Sequence, residues 1–198
     1  MFPVILIGGI PGVGKTSMAG YVAREFNINI ILSGDYLREF LRPYAGEILS
    51  KSVYESWQFF GEKTEDNIIK GYYEQSKIMY SGINAVLARA IRNGEPLILE
   101  TLYYIPELID KNIIDDIIKI YIYVSDHNVH EEMLNSREKF THINSPGYRL
   151  VQQLPVYEVM EKYTLNLLKK YDVFTVDSTN YQLARKKIIK YIEDKINQ

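Results

Sequence analysis

Residues 8–17 read GGIPGVGKTS, and they follow the apolar run PVILI at residues 3–7. The segment from Gly9 to Thr16 fits the pattern G-x-x-x-x-G-K-[ST], and the residues after it have the spacing of an amphipathic helix. A strand, a glycine-rich turn and a helix in that order form the setting in which this pattern cradles phosphate groups. The stretch therefore predicts a site for the phosphates of a nucleoside triphosphate.

The residue types in this stretch suit that chemistry. Glycines let the backbone bend around the phosphates, and the start of the helix near Lys15 adds a partial positive charge. Lys15 is expected to reach the β- and γ-phosphate oxygens, and the Thr16 hydroxyl is expected to bind Mg²⁺. A glycine-rich turn that merely joins a strand to a helix is the plainer alternative. The residues predicted to contact ATP are Gly9, Pro11, Gly12, Val13, Gly14, Lys15, Thr16 and Ser17.

Composition limits the classes of protein to which this chain can belong. Its 198 residues, 46% of them hydrophobic, suit one domain spanning residues 1–198 with a substantial core. A net charge of −2 provides no basic field for nucleic acid or an anionic membrane, so neither is expected as a partner. Cysteine is absent, which excludes disulfides and thiolate metal sites. No apolar run approaches the roughly 18 residues of a membrane span and no signal peptide is evident, so we expect a cytoplasmic protein.

Apolar runs rich in β-branched residues alternate with helical patterns along the chain. This order predicts an α/β fold of the P-loop kinase type, with a five-stranded parallel sheet covered by helices on both faces. The strands are predicted at residues 3–7, 28–32, 96–99, 118–124 and 173–176. A long helix is predicted at residues 67–92, and further helices at 126–140, 155–171 and 181–196.

Two regions outside this sheet are expected to complete the site. A helical region at about residues 35–93 is predicted to bind the acceptor, and a small lid is predicted at about residues 126–154. Within the lid, residues 141–154 contain the turn signal NSPG and are predicted to form a mobile loop. Arg137 is the predicted catalytic lid residue because phosphoryl transfer needs positive charge over the transferring group, and Lys139 and Arg149 are its alternatives.

The residues after the second strand suggest how an acceptor is held. If a helix begins at Asp35, then Asp35, Arg38 and Arg42 lie on one of its faces. Ligands of open parallel sheets bind beyond the carboxyl ends of the strands, where Asp35 emerges. Two guanidinium groups suit an anionic substrate, and the carboxylate can orient a hydroxyl and accept its proton. Alternatively, Asp35 is a helix N-cap and the arginines are solvated surface groups.

A carboxylate is also expected beside the magnesium ion. Glu100 closes the third predicted strand, opposite the phosphate loop, and is the first choice to support the metal and the bound substrate. Asp126 follows the fourth strand and is its competitor, although it also suits a helix cap. His127 and His130 stand three residues apart and suggest a metal pair, but without a third ligand they are interpreted as a polar helix surface.

Several segments together resemble the archaeal 2-phosphoglycerate kinases. They are IGGIPGVGKTSMA at residues 7–19, GDYLREFLRP at 34–43, VYESWQFFGE at 53–62, the long helix leading into PLILE at 96–100, and YIYVSDHNVHEEM at 121–133. The likeness runs from about residue 5 to about residue 140, and Thr101 departs from it by standing where a glycine is expected. The resemblance implies the nucleoside-monophosphate-kinase type of fold, ATP and Mg²⁺ as cofactors, and transfer of phosphate to the hydroxyl of a small phosphorylated hydroxy acid.

The identity of the acceptor stays open at this point. Both 2-phosphoglycerate and mevalonate 3-phosphate, the acceptor of a short archaeal relative, combine a carboxylate, a phosphate and a hydroxyl. A nucleoside monophosphate kinase shares the fold and differs in the acceptor pocket. A regulatory P-loop ATPase is the alternative from another class, although the guanine-specificity pattern N-K-x-D is absent. Either a monomer or a homodimer is compatible with the sequence.

Overall fold

Five parallel strands form one sheet at the centre of the protein. The computed structural model describes residues 2–136 and 147–197. The strand order is β2-β3-β1-β4-β5, and every neighbouring pair is parallel, which confirms the predicted five-stranded parallel sheet. The strands are β1 (Val4–Gly8), β2 (Ile30–Ser33), β3 (Leu97–Thr101), β4 (Ile118–Tyr123) and β5 (Phe174–Asp177).

Helices cover both faces of this sheet. Every residue of β1 and β3 is buried, and alternate residues of a strand point to opposite faces, so both faces are shielded from solvent at the centre of the sheet. Ile30, Ile31 and Leu32 of the edge strand β2 are exposed. The helices are α1 (Lys15–Glu25), α2 (Gly34–Leu41), α3 (Glu65–Asn93), α4 (His127–Ser136), α5 (Tyr148–Val151), α6 (Leu154–Leu168) and α7 (Tyr181–Ile196). No helix of the described ranges is long and apolar enough to cross a bilayer.

Helix α3 begins two residues before its predicted start because of its capping residue. The Thr64 side chain accepts a hydrogen bond from the Asn67 amide at 3.2 Å, and acidic residues occupy the first turn. At the other end, Gly94 adopts a φ of 64°, a left-handed conformation that stops a helix. The prediction that Asn93-Gly94 ends this helix is confirmed.

The predicted loop at residues 141–154 is wrong in its last part. Residues 148–151 form the short helix α5, whose first bonds run from the Leu150 and Val151 amides to the Gly147 carbonyl at 2.9 and 3.1 Å. Gly147 is buried against the backbone of Leu134 in α4, so this packing holds the turn in place. Residues 141–146 lie outside the described residues.

Short 3-10 helices connect α2 to α3 on the side predicted to bind the acceptor. They span Arg42–Tyr44, Gly46–Leu49 and Val53–Phe59. The last of them packs along α3, and the ring of Tyr54 meets that of Tyr157 in α6 edge to face, with centroids 6.0 Å apart. These contacts tie the connection to the core of the protein.

Candidate active site

The phosphate loop runs between β1 and α1 and has a conformation that only glycine adopts easily. Gly12 and Gly14 have φ values of 89° and 90°, in the left-handed region. A Cβ atom at Gly12 would lie 2.6 Å from side-chain carbons of Leu134 in α4. The loop is therefore bent tightly beneath α4, and neither glycine can be replaced without strain.

Three side chains from different elements bond to the carbonyl groups of this loop. Lys15 Nζ donates to the Ile10 oxygen at 2.9 Å, and His130 Nε2 lies 2.8 Å from the Pro11 oxygen. Ser178 Oγ, which follows β5, donates to the Val13 oxygen at 2.9 Å. These bonds fix the loop from α1, α4 and the segment before α7.

The loop opens into a cavity of about 970 Å³, a size that suits a nucleotide with a small acceptor. The lining includes the phosphate loop, the first residues of α1, the start of α2 and the end of β3. The lining residues are Pro11, Gly12, Gly14, Lys15, Thr16, Ser17, Ser33, Asp35, Tyr36, Glu39, Glu100, Leu102, Met133, Ser136, Leu150, Tyr157, Tyr181 and Gln182.

Two predicted metal-binding residues meet in this cavity. Thr16 Oγ1 donates to Glu100 Oε1 at 3.4 Å, although 84 positions separate them. Glu100 is buried, and β3 holds it beside the loop through its register with Ile7 of β1. A hydroxyl and a carboxylate are hard oxygen donors of the kind that Mg²⁺ prefers, so the pair fits a magnesium ion.

Asp126, the alternative to Glu100, has a structural task. Its Oδ1 accepts hydrogen bonds from the amides of Asn128 and Val129 at 2.9 and 3.2 Å. This is the geometry of a helix N-cap, here at the start of α4, and Asp126 does not line the cavity. Of the two carboxylates, the structure brings only Glu100 to Thr16.

Asp35 lies on the cavity wall in the first turn of α2. Ser33 is the N-cap of this helix, because its Oγ accepts from the Asp35 amide at 3.3 Å. The alternative interpretation of Asp35 as the N-cap is therefore wrong. Asp35 is exposed and lines the cavity on the wall that also contains Glu39.

The structure does not bring Arg38 into the cavity with Asp35. The Arg38 side chain is only 14% exposed, and its NH2 donates to the carbonyls of Leu49 and Lys51 at 2.8 and 2.7 Å. Its Nε donates to the Tyr103 hydroxyl at 3.2 Å. In this state the guanidinium fixes the connection after α2, and its predicted contact with substrate stays a prediction.

Arg42, the C-cap residue of α2, also does not line the cavity. Its NH2 pairs with Glu39 Oε2 at 2.8 Å, while Glu39 Oε1 pairs with Arg38 NH1 at 2.8 Å. One carboxylate that lines the cavity thus bridges both arginines. Of the three residues predicted to share a helix face, only Asp35 lines the cavity.

The predicted lid is described only in part. Arg137 and its alternative Lys139 lie outside the described residues. Ser136, which precedes Arg137, lines the cavity, as does Leu150 of α5. Arg149 is exposed and does not line the cavity.

His130 is not part of a polar helix surface, so that interpretation is wrong. Its side chain is 2% exposed and packs against the phosphate loop, and burial lowers the pKa of its imidazole. His127 is exposed as expected, with Nδ1 2.6 Å from Glu158 Oε1 of α6, and this partner raises its pKa. No cluster of three metal-ligating His, Asp or Glu side chains occurs within residues 2–136 and 147–197.

Glu161 is a further buried ionisable group near the loop. It lies in α6, is 9% exposed, and its Oε1 has no hydrogen-bond partner among the described residues. Burial raises the pKa of Glu161 to about 8, an effect that the charge of Lys15 opposes. At neutral pH the side chain is mostly protonated.

Sequence reasoning missed most of the apolar wall and the end of the cavity near α7. Leu102, Tyr157 and Leu150 come from three separate parts of the chain, so no local pattern joins them. Tyr181 and Gln182 follow Asn180, which caps α7 by accepting from the Leu183 amide at 3.0 Å. Their position after the last strand of a parallel sheet is the signal that could have identified them.

Thr101, which stands where a glycine is expected, does not line the cavity. It is buried, and its Oγ1 accepts from the Tyr103 amide at 3.0 Å. Gly34 at the start of α2 leaves the space that this side chain fills.

Comparisons with known proteins agree with this geometry. A family model described as an AAA domain matches residues 8–145. The chain is 43% identical to the mevalonate-3-phosphate 5-kinase of Thermoplasma acidophilum, over 94% of this chain and 93% of that protein. It is 26% identical to the 2-phosphoglycerate kinase of Methanopyrus kandleri, over 98% of this chain but only 61% of that protein.

A solved structure shares the fold. An uncharacterised protein from Eubacterium ventriosum superposes with a TM-score of 0.53 at 17% identity, covering 98% of this chain and 99% of that one. At this identity the likeness concerns the arrangement of strands and helices alone.

Proposed function

This chain belongs to the AAA domain family and to the kinase group of its mevalonate-3-phosphate 5-kinase relative, and we propose that it phosphorylates a small, already phosphorylated hydroxy acid. ATP is the phosphoryl donor and Mg²⁺ the metal in this proposal. One observation carries it: the phosphate loop, the Thr16–Glu100 pair and Asp35 line one cavity although they come from three separate parts of the chain.

The roles proposed for these residues follow from their positions. The phosphate loop and Lys15 hold the triphosphate and oppose its negative charge. Thr16 and Glu100 hold Mg²⁺, which when bound neutralises charge on the phosphate oxygens. Asp35, which also lines the cavity, orients the acceptor hydroxyl and accepts its proton.

We propose mevalonate 3-phosphate rather than 2-phosphoglycerate as the acceptor. The cavity wall includes the apolar side chains Leu102 and Leu150 and the ring of Tyr157. Mevalonate 3-phosphate carries a methyl group on a branched carbon skeleton, and 2-phosphoglycerate has no such group to cover. The 43% identity to the mevalonate-3-phosphate 5-kinase over nearly the whole of both chains supports the same choice.

Arg38 and Arg42 are proposed to hold the anionic groups of this acceptor. Glu39 bridges them here and itself lines the cavity, so an incoming carboxylate or phosphate competes with Glu39 for the same guanidinium groups. Arg137 is proposed as the lid residue that follows the cavity-lining Ser136. The lid would exclude water, which otherwise hydrolyses ATP.

The proposal is tested by ADP release in a coupled assay. The panel contains mevalonate 3-phosphate, 2-phosphoglycerate, mevalonate, AMP, CMP and UMP, with Lys15→Ala as the inactive control. The proposal is supported if mevalonate 3-phosphate is the only acceptor of the panel that gives rapid ADP release. Rapid ADP release with a nucleoside monophosphate would instead identify a nucleotide kinase. A rate of ADP release that no acceptor changes would identify an ATPase.

We expect the enzyme in the cytoplasm, where ATP is available, as a monomer or homodimer.

A further inference from the structure

Two of the loop carbonyls are bonded by side chains outside the loop. His130 of α4 lies against the Pro11 oxygen at 2.8 Å, and Ser178 donates to the Val13 oxygen at 2.9 Å. A carbonyl can only accept, so His130 Nε2 carries the proton in this bond. The imidazole is buried and its pKa is lowered, which keeps it neutral at neutral pH.

These bonds determine where the loop amides point. In a trans peptide the C=O and N–H of one unit point in opposite directions. The peptide that contains the Pro11 carbonyl also contains the Gly12 amide, and the one with the Val13 carbonyl contains the Gly14 amide. Because His130 holds the Pro11 carbonyl on the side of α4, the Gly12 N–H faces away from α4. Gly12 and Gly14 both line the cavity.

We infer that His130 is a positioning residue for nucleotide binding: its bond to the Pro11 carbonyl holds the Gly12 amide toward the phosphate site. Backbone glycines have little resistance of their own to rotation of a peptide plane. A side-chain donor on the opposite side of the plane supplies that resistance before the nucleotide arrives, and preorganised donors bind an anion better than donors that must rotate.

Helix α4 also blocks other loop conformations. Leu134, one turn after His130, is fully buried and packs over Gly12. Helix α4, the first part of the predicted lid, thus contacts the phosphate loop through one polar and one apolar side chain. The inference deepens the proposed function, since it concerns the ATP half of the same site.

The experiment compares three substitutions by calorimetric titration with Mg·ATP in the absence of acceptor. His130→Leu removes the donor and keeps an apolar side chain of similar size. His130→Gln places an amide nitrogen the same number of bonds from Cα as Nε2, and His130→Asn places it one bond closer. His127→Leu, on the exposed side of the same helix, is the matched control.

We expect His130→Leu to weaken Mg·ATP binding about tenfold or more, in the range of other orienting groups around a ligand site. His130→Gln should recover binding to within about threefold of the wild type, whereas His130→Asn and His130→Leu should not. The KM for ATP should rise with the dissociation constant, while the KM for the acceptor stays within about twofold. His127→Leu should bind ATP as the wild type does.

Equal ATP affinity in His130→Leu and the wild type overturns the inference, as does a loss in His130→Gln equal to that in His130→Asn. If His130→Leu does not fold, the comparison of the Gln and Asn variants still decides. Binding is measured without acceptor, so a wild type that binds ATP but phosphorylates nothing in the panel contradicts the proposed function and leaves the role of His130 to be judged on its own.

Discussion

Thr16 Oγ1 and Glu100 Oε1 lie 3.4 Å apart at the point where α1 begins and β3 ends. The pairing of β1 with β3 produces this contact, because Glu100 stands in register with Ile7, just before the phosphate loop. Parallel strands end at the same edge of a sheet, so residues distant in sequence meet there. The pair supplies the hydroxyl and carboxylate oxygens proposed to hold Mg²⁺.

Substitution of Glu100 by Gln should raise the Mg²⁺ concentration needed for half-maximal activity. The amide keeps the shape of the side chain but removes its charge, so we expect a loss of about 10- to 100-fold in activity at limiting Mg²⁺. A magnesium titration at fixed ATP measures the effect. Asp126→Asn is the control, since Asp126 caps α4 and should alter thermal stability only. A shift in the Mg²⁺ requirement for Asp126→Asn but not for Glu100→Gln would show that Asp126, and not Glu100, supports the metal.

Replacement of Asp35 by Asn should lower kcat and leave the KM for ATP unchanged. Asn can still orient a hydroxyl but cannot accept its proton, and loss of a general base costs about 10²–10⁴ in rate. Steady-state kinetics with mevalonate 3-phosphate provides the measurement. Asp66→Asn, in the exposed first turn of α3, serves as a control for a lost surface charge. A kcat for Asp35→Asn near the wild-type value would remove Asp35 from the mechanism.

The Arg38→Ala variant should raise the KM for the acceptor far more than the KM for ATP. Arg38 holds the Leu49 and Lys51 carbonyls, so its loss also disturbs the connection after α2. We expect an acceptor KM at least about tenfold higher, together with a loss of roughly 1–3 kcal/mol in unfolding free energy. Arg42→Ala, half exposed and paired with Glu39, should affect the acceptor KM but not stability. Equal rises in the two KM values for Arg38→Ala would contradict its assignment to the acceptor side.

Substitution of Glu161 by Gln should flatten the dependence of stability on pH. Burial raises the pKa of Glu161 to about 8 from an ordinary value of 4.5, so between these values the folded state binds more protons than the unfolded state. The unfolding free energy of the wild type therefore falls as the pH rises from about 5 to 9. Glu161→Gln should remove this fall in the unfolding free energy, which is on the order of 2–4 kcal/mol between about pH 5 and 9.

Denaturant unfolding of both proteins at several pH values measures this slope. Glu132→Gln is the control, because Glu132 is exposed on α4 and its loss should leave the slope in place. Identical pH dependence in the wild type and Glu161→Gln would mean that Glu161 ionises normally in the folded protein.

The sheet and the phosphate half of the site were predictable from sequence because both depend on local patterns. Apolar runs mark the strands, and the spacing from Gly9 to Thr16 marks the loop. The topology rule for parallel sheets then places Glu100 at the correct edge. Asp35 was located by the same reasoning, although its capping partner Ser33 was not recognised.

The surroundings of Arg38 and His130 were not predictable because they depend on contacts between distant segments. Arg38 bonds to carbonyls of Leu49 and Lys51, in a connection of short 3-10 helices that no periodic pattern marks. His130 looks like a surface histidine in its own helix, and only the packing of α4 on the phosphate loop buries it.

The transfer itself is tested most directly by ³¹P NMR of the reaction of the purified protein with Mg·ATP and mevalonate 3-phosphate. We predict a second phosphomonoester resonance from the newly phosphorylated hydroxyl, which grows in equal amount with ADP and is absent with Lys15→Ala. Formation of ADP and inorganic phosphate, with the acceptor left as a single monoester, would contradict the proposed kinase activity.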